Sequence, residues 1–207
     1  MIFLSIIISL FCFYLDNYFG YYINRKNARN LVSAFHAYLS VILNSFYFIN
    51  IGNSFCNLIS EVTFSLTIGY FLFDIYYIVR NDKKDILRYM FIYHHLATIY
   101  LLFNNHLINN THQLILVAEI SNLPSYPIYY LLHKENKNIE DKISTNILKF
   151  TQRVLYFFIR IILMSNILFN LVNELDFNNN QIFFLGIITV PVYFMGIIWT
   201  ISLLLNN

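Results

Sequence analysis

Six ionisable side chains stand inside long apolar stretches of this 207-residue chain: His36, Asp74, His94, His95, Glu119 and Arg160. Each of these costs about 2.5–3.5 kcal/mol to insert into a bilayer, so such residues face a bundle interior or a partner rather than lipid. Their types suit proton-transfer chemistry. A histidine within hydrogen-bond reach of an amine or hydroxyl acts as a general base. A carboxylate such as Asp74 fixes the tautomer of a histidine, and a second His or Arg160 stabilises a developing oxyanion. Adjacent helical residues point about 100° apart, so one of His94 and His95 faces the interior while the other bonds a neighbouring helix. Thr98, four residues from His94 and three from His95, lies near both.

Structural readings stand beside the chemical one. Arg160 pairs with Asp74 or Glu119 to tie helices together, His36 is a hydrogen-bonded packing residue, and Asp16 lies at an interface. Zinc sites favour His at i and i+4, a spacing that His94-His95 lacks, so no metal is expected. Haem ligation by His36 and His94 is a minor alternative. The remaining histidines, His106, His112 and His133, fall in or near loops. A retinal-binding Lys in the last helix is missing.

These residues need apolar elements to hold them. The chain is 58% hydrophobic and 12% charged, roughly half the ~25% charge of a soluble domain. Seven apolar segments separate, at about residues 2–22, 31–51, 62–79, 89–105, 112–132, 154–172 and 182–205. Each approaches the ~20 residues that cross a bilayer core. None alternates as barrel strands do, so all read as helices. The expected fold is an all-α polytopic bundle of seven transmembrane helices. Met1 to Leu15 lacks a basic leader and a cleavage site and reads as an uncleaved first helix. Cys12 and Cys56 read as small buried hydrophobes. The net charge of +2 gives no expectation of a nucleic-acid partner.

Basic residues alternate by loop. Arg25, Lys26 and Arg29 follow the first segment, Arg80, Lys83, Lys84 and Arg88 the third, and Lys134, Lys137, Lys142, Lys149 and Arg153 the fifth; Arg160 alone lies within a segment. The positive-inside rule then places these loops and the carboxyl terminus in the cytosol, and the amino terminus in the lumen or exterior. The longest loop is expected at about 133–153. At ~1.5 Å per residue, His36, Asp74, His94 and Arg160 lie roughly 9–11 Å below the basic boundary, and Glu119, fifteen residues from Lys134, roughly 22 Å below it.

Three stretches carry a resemblance. They are Ser33-Ala-Phe-His36-Ala; Gly69-Tyr-Phe-Leu-Phe-Asp74 with the later His94-His95-Leu-Ala-Thr98; and Glu119-Ile-Ser121 with Pro124, followed by Phe158-Ile-Arg160. In order and on matching helices, they resemble the TLC-domain family, over about residues 25–205. The chain is divided accordingly into a first transmembrane helix, 1–24, and a TLC-like membrane domain of six helices, 25–207. It is more similar to the small TLC-domain membrane proteins than to ceramide synthases, whose His pair is followed by a second motif with His-Asp and another Asp. Here Glu119-Ile-Ser121 occupies that region. The resemblance implies an endoplasmic-reticulum-type endomembrane, membrane lipid as partner, and regulation of lipid composition or lipid binding by a polar layer of His36, Asp74, Thr98, Glu119, Ser121 and Arg160. No resident cofactor is expected. The alternative it implies is a lipid N-acyltransferase with His94 and His95 as catalytic bases and acyl-CoA as co-substrate.

Overall fold

Helix formation here follows from the apolar runs, because a backbone in lipid satisfies its polar groups only internally. The computed structural model describes residues 1–52, 55–81, 86–104, 111–134, 138–174, 186, 190–198 and 201. The elements are α1 (Ile2–Tyr22), α2 (Arg25–Ile49), α3 (Phe55–Asn81), α4 (Ile86–Phe103), α5 (Thr111–Asn122), α6 (Ser125–Leu132), α7 (Ile139–Leu155) and α8 (Met164–Glu174); a π-helical stretch, Tyr156–Leu163, joins α7 to α8. Residues 190–198 are also helical. Among the described residues, five helices are long and apolar enough to cross a membrane: α1, α2, α3, α4 and the continuous Ile139–Asn170. The molecule is a helical membrane bundle. The expected seventh segment, 182–205, lies in part outside the described residues.

α3 is the central element. Two thirds of its apolar window is buried, against 17–28% for the other four candidate spans. It packs against α1, α2 and α4, while α2 also contacts α5 and α6. α1 turns Ser5, Ser9, Cys12 and Asp16 inward at four- and three-residue spacing, and leaves Ile2, Phe3, Leu10 and Tyr14 exposed. This inverts the soluble pattern. In lipid, small residues bring helices close while apolar ones face the acyl chains. A Cβ on Gly69 of α3 would stand 2.6 Å from the Ser5 carbonyl oxygen and 2.8 Å from Ile8 Cβ, so only glycine permits this approach. Asp16 turns into the bundle, where it accepts a bond from Arg25 Nη1 at 3.1 Å.

Two regions differ from the sequence reading. The segment expected as one helix over 112–132 is two, divided at Leu123 and Pro124. Pro124 lacks the amide proton that would continue α5, and its ring disfavours a helical residue before it. The expected loop over 133–153 is mostly α7. Asn138 caps it, accepting from the Asp141 amide at 2.7 Å while the Asp141 carboxylate accepts from the Asn138 amide at 3.0 Å, a capping box. The Lys134 ammonium, outside the apolar spans, also bonds the Asp141 carboxylate, which holds Lys134 above its ordinary pKa.

Candidate functional site

Asp74 lies on α3 seven residues before its last residue, and Arg29 on α2 four residues after its first. The Asp74 carboxylate accepts from Arg29 Nε at 2.9 Å through Oδ1, and its Oδ2 lies 2.8 Å from His95 Nε2 on α4. One buried carboxylate therefore joins three helices. The His95 ring stacks on Phe71 at 4.3 Å. With Nε2 turned to Asp74, the other ring nitrogen, Nδ1, is buried without a hydrogen-bond partner. His94, on the neighbouring face, is half-buried, with its ring 6.2 Å from Phe71. The Thr98 hydroxyl donates to the His94 carbonyl at 2.8 Å.

His36 sits beside this triad and is 1% exposed. Its ring stacks on Tyr70 at 4.1 Å and 11°, and the Tyr70 hydroxyl is anchored on Ser33 Oγ at 2.8 Å. Both ring nitrogens of His36 are buried without a hydrogen-bond partner. The Glu119 carboxylate approaches Nδ1 to 3.9 Å, beyond hydrogen-bond range. Glu119 thus lies alongside His36, not a further 11 Å or so deeper as a continuous helix would have it. The break at Leu123 and Pro124 removes the unbroken helical rise on which that depth rested.

A third group closes the layer. Arg160 donates Nε to Ser121 Oγ at 2.8 Å and Nη2 to Asn122 Oδ1 at 2.9 Å. The Tyr156 hydroxyl donates to the same Asn122 oxygen at 2.7 Å, and the Arg160 guanidinium lies 4.6 Å over the Tyr156 ring. The π-helical stretch begins at Tyr156 and sets both groups against the end of α5. π-turns of this kind recur at functional sites.

The structure thus assembles His36, Asp74, His95, Glu119, Ser121 and Arg160, with His94 and Thr98 at the margin. The cation that pairs with Asp74 is Arg29, not Arg160. Sequence reading missed Arg29 because it was grouped with the basic loop. The signal was nonetheless present, since Arg29 and Asp74 lie four and seven residues from neighbouring ends of α2 and α3, less than one helical turn apart in level. Asn122, Tyr70 and Tyr156 were missed as well. Among the described residues, no three His, Cys, Asp or Glu side chains converge as a metal site.

No curated protein and no solved structure is found to match this chain. The family model of the TLC domain matches residues 2–205. That match takes in α1 as well as the three motif-bearing stretches. The lipid-related character of that family agrees with a charged layer enclosed by helices whose outer faces are apolar. The chain belongs to the TLC-domain family.

Proposed function

We propose that this protein handles membrane lipid by holding a polar lipid headgroup in the layer between His36, Glu119 and the Asp74–His95 pair. One observation carries the reading. His36 is buried with both ring nitrogens uncommitted, 3.9 Å from a buried carboxylate. Buried polar atoms are satisfied in nearly all folded proteins. A headgroup hydroxyl or amine bridging His36 Nδ1 and the Glu119 carboxylate would satisfy that nitrogen, and a second polar atom of the headgroup would satisfy Nε2. The layer would then lie near the cytosolic face of a seven-helix bundle, in an endoplasmic-reticulum-type membrane, with the basic loops in the cytosol.

Catalysis is the second reading, and Asp74 favours it. Its bond to His95 Nε2 leaves Nδ1 as the nitrogen able to take a proton from an amine attacking an acyl-CoA thioester. Arg160 and His94 would stabilise the oxyanion.

Native mass spectrometry of the purified protein tests both. Retained lipid that is lost in His36→Ala, with no acyl transfer from acyl-CoA, is the expected result. Acyl transfer abolished by His95→Ala would establish the second reading. A wild-type protein that carries no lipid and transfers no acyl group would remove both.

A further inference from the structure

A second polar cluster lies toward the other end of the bundle. Asn44 stands fifteen residues beyond Arg29 on α2, and Ser60 fourteen before Asp74 on α3, so each is roughly 21–23 Å along its helix from the first layer. His112, the second residue of α5, fills the space between them. Its Nδ1 is 2.8 Å from Asn44 Oδ1 and its Nε2 is 2.9 Å from Ser60 Oγ.

The hydrogen-bond inventory fixes the proton positions. Asn44 Nδ2 donates to the Ser40 carbonyl at 2.8 Å. A carbonyl only accepts, so the amide nitrogen faces Ser40 and the amide oxygen faces His112. Nδ1 of a neutral His112 must then carry the proton, Nε2 is the acceptor, and the Ser60 hydroxyl donates to it. Asn44 is fully buried and His112 is 7% exposed, while Ser60 is only half-buried. The imidazole is clamped between Tyr47 at 3.6 Å and Phe64 at 4.5 Å, both within 20° of parallel. Two aromatic faces hold the ring against rotation.

We infer that Ser60, His112 and Asn44 form a nucleophilic serine site for an ester-linked acyl lipid, distinct from the Asp74 layer. In this arrangement Ser60 is the nucleophile, His112 the general base and Asn44 the positioning residue. Depth selects the substrate class. α3 has 27 residues, about 40 Å of helix, against a hydrocarbon core of ~30 Å. Ser60 lies about 7–8 Å from the start of α3, hence close to the boundary where acyl chains meet headgroups. Lipid ester carbonyls lie at that boundary. Ser60 Oγ adds to the ester carbonyl carbon while its proton passes to His112 Nε2. The carbon–oxygen bond to the alcohol then breaks, the alcohol oxygen takes that proton, and the acyl group remains on Ser60. Water adds to the acyl carbon, giving a proton to Nε2, and that proton returns to Ser60 as the fatty acid leaves.

The full chain in lipid nanodiscs, treated with a long-chain alkyl fluorophosphonate, tests this by mass spectrometry of the labelled peptides. The expected adduct is on Ser60 and disappears in Ser60→Ala. The labelling rate should fall roughly 100-fold or more in His112→Ala, and Asn44→Asp, which keeps an acceptor facing Nδ1, should retain labelling. Wild-type protein with no adduct at Ser60 overturns the proposal whatever the variants do. A Ser60 adduct that forms as fast in a folded His112→Ala protein overturns it too, leaving the cluster as a clamp between α2, α3 and α5.

Discussion

Asp74 has two positively charged or proton-bearing neighbours on its two oxygens, and removing its charge leaves both without compensation. Loss of one partner from a buried ion pair costs about 3–5 kcal/mol. Asp74→Ala should therefore lower the thermal midpoint in detergent sharply, and Asp74→Asn should fall between it and wild type, because the amide keeps one acceptor for Arg29. A melting temperature unchanged in Asp74→Ala would mean that the pair carries no weight in the fold. The residues legible in the sequence were those whose charge stood out against an apolar run: His36, Asp74, Glu119 and Arg160. Arg29 was concealed by its position next to Arg25 and Lys26, where charge is already explained by topology. His112 was concealed by the polar residues beside it, Asn109 to Thr111 and Gln113, which give the stretch the composition of a loop. Its aromatic sandwich joins Tyr47 and Phe64, distant in the chain, and no local pattern encodes that.

At the scale of elements, the close contact of α1 with α3 is the most sharply constrained feature. Gly69→Ala would place a methyl group 2.6 Å from backbone at Ser5, where no flexible side chain can yield. Overpacking of this kind costs about 1–3 kcal/mol. The variant should melt earlier, and a cysteine pair bridging α1 and α3 should crosslink more slowly than in the Gly69 protein. Equal crosslinking and stability would show that the helices have room to part. The existence of the long helices was legible because apolar length alone implies them in lipid. Their breaks were less so. Pro124 marks one, but Lys142, Lys149 and Arg153 lower the apolar density of α7 to that of a loop. Its period is nonetheless regular: Ile139, Ile143, Ile147, Phe150 and Val154 line one exposed face, while Thr145, Gln152 and Tyr156 face inward. The π-stretch after it left no trace in the pattern, since Arg160 is the one charge in an otherwise apolar and aromatic segment and a single charge sets no period.

For the whole molecule, the alternation of basic loops argues for opposite placement of the α2–α3 turn and the start of α7. Three crossings separate these points only if α5 and α6 together span the bilayer. His112 of α5 bonds Asn44 toward the far end of α2, and the Tyr126 carbonyl of α6 accepts from Asn30 near the start of α2, so the pair runs back along about 21 Å of α2. A pair folded back on itself would instead return the chain to the side from which it entered. Introduced cysteines separate the two topologies, because the native Cys12 and Cys56 are buried and contribute little background with a membrane-impermeant maleimide. Ile51 in the α2–α3 turn and Lys142 on α7 are both exposed. After selective permeabilisation of the plasma membrane, Lys142→Cys should be labelled from the cytosol while Ile51→Cys stays protected until all membranes are opened. Joint labelling of both sites in the first step would show that α5 and α6 do not cross, and would reduce the crossings between these two points to an even number.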